Sequence, residues 1–96
     1  MDRPFFRLAD ALDALPTLAD QGTRELVIGQ LPPAISGAVR HHAQRRLQIM
    51  EILRTCLDYP GGVEELLVIL GELEGDSLPL GRLVETVREV LPQMGG

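Results

Sequence analysis

Apolar residues recur along this chain at helical intervals. Phe5, Leu8, Ala9, Leu12 and Leu15 keep the i, i+3, i+4, i+7, i+10 spacing of one helix face. That spacing predicts a first helix over about residues 4–15, with Pro4 in its opening turn and Pro16 at its end. Asp20 is placed to cap a second helix by accepting amide hydrogens two or three residues on. Leu26, Val27 and Leu31 line its stripe, which Gly22 and Gly29 interrupt. Pro32-Pro33 stops it and starts a short turn of helix through Ile35, closed by Gly37.

The second half is more regular. From about residue 43 to 57, Leu47, Ile49, Met50, Ile52, Leu53, Cys56 and Leu57 form a wide apolar face. Gln44, Arg45, Gln48, Glu51 and Arg54 fall opposite. Residues 63–73 are apolar nearly throughout, which predicts a helix at the centre of the fold, covered on more than one side. A buried strand is the competing reading. Its length, and Glu64-Glu65 at the dipole-favoured end, support the helix. Gly75-Asp76-Ser77 breaks the chain and caps a last helix marked by Leu80, Leu83, Val84, Val87 and Leu91, which Pro92 and Gly95-Gly96 are expected to end. Between the fourth and fifth helices lies Tyr59-Pro60-Gly61-Gly62. Pro60 disfavours a helical Tyr59, and the two glycines permit positive φ, so a sharp corner is expected. The fold class is therefore all-α: a compact bundle of five or six short helices.

Composition narrows this reading. Ninety-six residues suit one domain with a single modest core. Aromatics are only 3%, so Leu, Val, Ile and Ala must build the interior. One cysteine excludes an internal disulfide, no secretory leader pattern opens the chain, and the longest apolar run is far short of the ~20 residues of a membrane span. A cytoplasmic setting is expected. The net charge of −5 is unevenly spread: residues 1–33, 34–58 and 59–96 carry −2, +2 and −5. This is either an ordinary solvated surface or a dipolar molecule whose copies or relatives dock with opposite patches facing. All nine cations are arginine, which suits bidentate interface pairing but also follows from a GC-rich coding bias.

Catalytic chemistry finds little footing. Cys56 with His41 or His42 is the sole sulfur–imidazole option, yet a continuous helix would hold them roughly 20 Å apart. Cys56 also falls on the apolar face, where a free cysteine is a small core residue. Ser36 and Ser77 lie in no nucleophile elbow, and the side chains of Glu64 and Glu65 diverge by ~100° around their helix. The cysteine and histidines lack the paired spacing of a metal site, and there is no phosphate-binding glycine loop. No enzyme activity, cofactor or metal is expected. Arg40, His41, His42, Arg45 and Arg46 form a basic segment that could touch nucleic acid, but no aromatic residues are interleaved for stacking. The same segment could be half of a protein contact.

Several stretches together resemble one family. Leu31-Pro32-Pro33 with Ile35, Arg40-His41, Cys56-Leu57-Asp58-Tyr59-Pro60-Gly61-Gly62, Leu66-Leu67, and Leu73-Glu74-Gly75-Asp76-Ser77 followed by Leu83 are similar to the effector-associated domain of the second type, over about residues 6–91. The resemblance implies a small bacterial all-helical module, likened to death-fold adaptors. Such modules are fused to effectors such as proteases, TIR domains or signalling ATPases in defence systems, and join an effector to a matching sensor by like-with-like contact. It implies no catalytic residues. On this reading the chain is a non-catalytic protein-binding adaptor. Its expected contact sets a basic patch (Arg40, Arg45, Arg46, Arg54) against an acidic patch (Glu64, Glu65, Glu72, Glu74, Asp76) of another copy or a related domain. A hydrophobic dimer through Phe5 and Phe6 is the rival arrangement, and a small nucleic-acid binder using residues 40–46 the alternative function.

Overall fold

Prolines and caps set the helix boundaries in the computed structural model, which describes residues 3–94. The first helix, α1, spans Arg3–Asp13. Pro16 drives Leu15 into an extended conformation (φ −77°, ψ 125°) and opens a single 3-10 turn, Pro16–Leu18. Asp20 then caps α2 (Gln21–Gln30), its carboxylate accepting the Thr23 amide at 2.9 Å and the Thr23 hydroxyl at 3.1 Å. Pro32-Pro33 ends α2 and begins the one-turn α3, Pro33–Ser36. After a loop, α4 runs Arg45–Leu57, α5 Gly62–Glu74 and α6 Leu78–Met94. No strand occurs among the described residues.

At the expected corner between α4 and α5 the two glycines have different tasks. Gly61 takes the left-handed conformation, φ 74°. Gly62 is helical, and its requirement is space: a Cβ there would sit 2.2 Å from the carbonyl oxygen of Cys56. Backbone thus meets backbone where α5 turns back on α4. The next corner uses Gly75 at φ 65°, and Ser77 caps α6 by accepting the Leu80 amide at 3.2 Å.

One core of buried side chains joins all the elements. From α1 come Phe5, Leu8, Ala9 and Leu12, as the periodicity predicts. Elsewhere the expected faces need correction. In α2 the buried residues are Val27 and Ile28 together with Arg24, while Leu26 points outward. In α4 Leu47 is exposed, and Gln48 and Thr55 are buried. Helix α5 is covered on more than one side, as expected, but a strip of it stays open: Val63, Leu66 and Leu70 face the core, whereas Val68 and Leu73 lie exposed with the glutamates. In α6 Val90 is buried and Leu91 only partly so. Pro92 does not end α6, which continues to Met94. Near the end of a helix a proline forfeits few backbone bonds, and the Glu89 carbonyl beside it accepts the side-chain amide of Gln93 at 3.3 Å. Gly95 and Gly96 lie outside the described residues.

Helix α1 lies against α6 and α4, while α5 bridges α4, α2, α6 and the 3-10 turn. The molecule therefore presents two contrasting exteriors, one built on α1, α4 and α6 and the other on α2 and α5.

Candidate interaction surface

The four arginines expected to form a basic patch all arise from α4 and the loop before it, but most are engaged within the chain. Arg45 donates from Nε to Asp13 Oδ1 at 2.8 Å, and Arg46 reaches Asp10 at 2.8 Å and Asp13 at 3.6 Å. Both carboxylates belong to α1, so these pairs stitch α4 to it. Arg54 pairs with Glu51 one turn earlier on its own helix, at 3.1 Å. Arg40 is exposed and makes no ion pair among the described residues.

Its loop is ordered by a residue that polarity had assigned to the outside. Gln48 turns inward, accepting the His42 amide at 2.7 Å and donating to the Arg40 carbonyl at 3.0 Å. A buried amide with both ends satisfied costs little and fixes the backbone at Arg40. The sequence signal for this was a lone glutamine flanked by apolar residues. It could equally have marked an exposed strip.

The acidic residues are disposed differently. Glu64, Glu65 and Glu72 are exposed on α5 and form no ion pair among the described residues, and Asp76 is exposed in the turn that follows. Glu74 is used internally: its carboxylate accepts the Thr17 amide at 2.8 Å and also the Thr17 hydroxyl, clamping the end of α5 to the 3-10 turn. Burial pushes this carboxyl upward, but the hydrogen bonds from Thr17 and Ser77 outweigh it and leave it below the ordinary glutamate value. Of the corner residues, Tyr59 is half-buried against the core, Pro60 is exposed, and Gly61 and Gly62 make the turn.

Arg24 was not singled out by sequence, yet it shapes this side. It is buried, and its Nη1 donates to the carbonyls of Leu18 at 2.9 Å and Ala19 at 3.0 Å. The sole cation of α2 and α5 is thereby turned inward. Their outer faces carry carboxylates interspersed with Leu26, Val68 and Leu73.

The remaining candidates resolve simply. Cys56 is fully buried on the core side of α4, and burial pushes its thiol up to about 12, far from a reactive thiolate. Phe5 is in the core with Phe6 edge-on to it, ring centroids 5.8 Å apart, so of the two rings only Phe6 is on the outside. Among the described residues no group of three or more His, Cys, Asp or Glu could hold a metal ion, and no helix is long and apolar enough to cross a membrane.

Among known families, the model of effector-associated domain 2 matches residues 9–88, most of the chain. No curated protein and no solved structure matches it.

Proposed function

The chain belongs to the effector-associated domain 2 family, and from that membership we propose that it is a non-catalytic adaptor that recruits an effector to a sensor in bacterial defence signalling through like-with-like, death-fold-like contacts. Modules of this family associate with proteins and are in general non-catalytic. The observation that carries the finer reading is the row of carboxylates on α5, Glu64, Glu65 and Glu72, left without cations among the described residues. Like charges held on one rigid helix are mutually unfavourable and are relieved by an opposite patch on a partner. Asp76 extends that row. Arg40 supplies the complementary cation on a second copy or a matching domain, with Arg54, Arg45 and Arg46 adding long-range attraction while they stay paired within their own chain.

Light scattering over a salt series tests the contact. Association should weaken steeply between low and physiological ionic strength, where the Debye length shrinks to ~8 Å. The triple charge reversal Glu64→Lys, Glu65→Lys, Glu72→Lys should abolish it with helicity unchanged. Association indifferent to both salt and reversal would remove the electrostatic model.

A further inference from the structure

The two exteriors carry apolar features that fit one another. On one, Leu26 of α2 and Ile69 and Leu73 of α5 line a groove of about 240 Å³ with Gln30 and Glu72 at its edge. Leu26 is 50% exposed and Leu73 44%. The groove is smaller than the ~300–1,000 Å³ of small-molecule sites, so its scale is that of a side chain from another protein. Because Arg24 is turned inward, every charge on the outer faces of α2 and α5 is negative. On the other exterior, Leu47 of α4 stands 46% exposed and borders a shallow hollow of about 150 Å³ together with His42, Met50, Glu51 and Arg54. Arg40 projects from the loop that leads to it. Glu51, the sole carboxylate of α4, is already bound by Arg54.

We propose that the α2–α5 groove is the seat for the Leu47 ridge of a second copy of this chain. The ridge supplies a half-exposed leucine on the arginine-bearing side of the molecule, and the groove an apolar floor with Glu72 at its edge on helices whose outward charges are all negative. Charge complementarity selects this occupant over a second groove, since two acidic faces would repel. Ridge and groove share no residue, so the contact is heterologous and a pair of copies keeps one ridge and one groove free. Repetition gives open chains or closed rings. The inference rests on the self-contact reading and adds the anchor: a leucine in a groove sets affinity, and the surrounding charges set orientation and rate.

Sedimentation of the full chain at low salt tests it by complementation. Leu47→Asp destroys the ridge and keeps the groove, whereas Leu73→Asp does the reverse. Each should weaken self-association by about tenfold or more, with the far-UV spectrum and melting temperature near wild type because both leucines are half exposed. Mixed in equal amounts, the two variants should form a 1:1 dimer that grows no further. Variants that associate like the wild type would overturn the groove contact while leaving the charge contact standing. Failure of the mixture to dimerise would overturn the heterologous arrangement. A wild-type chain that stays monomeric at every concentration would sink this inference and the self-contact reading together.

Discussion

The seam between α1 and α4 and the face formed by α2 and α5 are both rich in charge, but they treat it in opposite ways. Along the seam, Arg45 and Arg46 meet Asp13 and Asp10, and on the far side of α1, Arg7 forms a two-pronged pair with Glu89 of α6 at 3.0 and 3.1 Å. That pairing holds the Glu89 carboxyl below its ordinary value. Charge here registers one helix against another. Across α2 and α5 the lone arginine is spent on backbone carbonyls, Glu64, Glu65 and Glu72 meet no cation among the described residues, and leucines remain in water. A fold of this size can close one side with its own counter-charges and leave the other to be completed from outside. Surface charge therefore says little about recognition until it is known which charges are already answered.

The contrast depends on α5 being held rigidly against α4, and the strongest way to break it is at their corner. Gly62→Ala would force a Cβ into the Cys56 carbonyl, which backbone cannot yield cheaply. The expected loss is at the upper end of ~1–3 kcal/mol, a fall in melting temperature of roughly 10–20 °C. Gly61→Ala meets no atoms and suffers only its positive φ, about 1–2 kcal/mol. Equal melting temperatures for the two variants, read by calorimetry, would show that close approach is not what Gly62 provides.

A smaller effect is expected from the seam. Replacing both Arg45 and Arg46 by Glu removes three ion pairs and sets like charges against α1. With these groups a third or more exposed, solvent screening limits the cost to roughly 1–2 kcal/mol. Sequence alone made these two arginines half of the docking patch, so that their reversal should abolish binding. Their pairing instead leads us to expect lower stability with most of the association kept, because Leu47 and the exposed Arg40 are untouched. Denaturant titration beside light scattering separates the outcomes. Full loss of association at unchanged stability would return Arg45 and Arg46 to the interface and erase the contrast between the two sides.

Why the sequence revealed some of this and not the rest follows from what periodicity encodes. Pro16, Pro32 and Pro60, and the caps Asp20 and Ser77, act through local backbone geometry, so the element order was legible. The stripe of α1 was legible too, because Phe5, Leu8, Ala9 and Leu12 share one phase, although the helix ends at Asp13 and Leu15 reaches the core from an extended residue beyond it. In α4 and α5 the apolar residues outnumber those a single face can hold, and the phase is then set by neighbouring helices. That is why Leu47, Val68 and Leu73 read as core and proved to be surface. Gln48 and Arg24 erred the other way: each is buried because it satisfies backbone groups of a loop or turn that periodicity does not register. The acidic half of the surface was thus readable as composition, while its apolar component was hidden by the assumption that leucine belongs inside.

The finest test concerns the border between the two sides, where Glu74 ties α5 to the 3-10 turn after α1. Its carboxyl is burdened by burial but held below its ordinary value by the Thr17 and Ser77 hydrogen bonds. A carboxyl depressed in the folded state adds stability that is present above its unfolded value and lost as pH falls through the folded one. Part of the acid limb, from about pH 4.5 downward, therefore belongs to this clamp. Thr17→Val removes the hydroxyl donor and leaves the amide, so the Glu74 carboxyl should rise toward its unfolded value and flatten that limb, with little change in stability ratio between pH 6 and 7. Carbon-detected NMR titration of Glu74 reads the shift directly. A titration curve unmoved by the substitution would mean that the amide of Thr17 and the cap at Ser77 hold α5 in place without the hydroxyl, and that the border is a backbone feature of the fold.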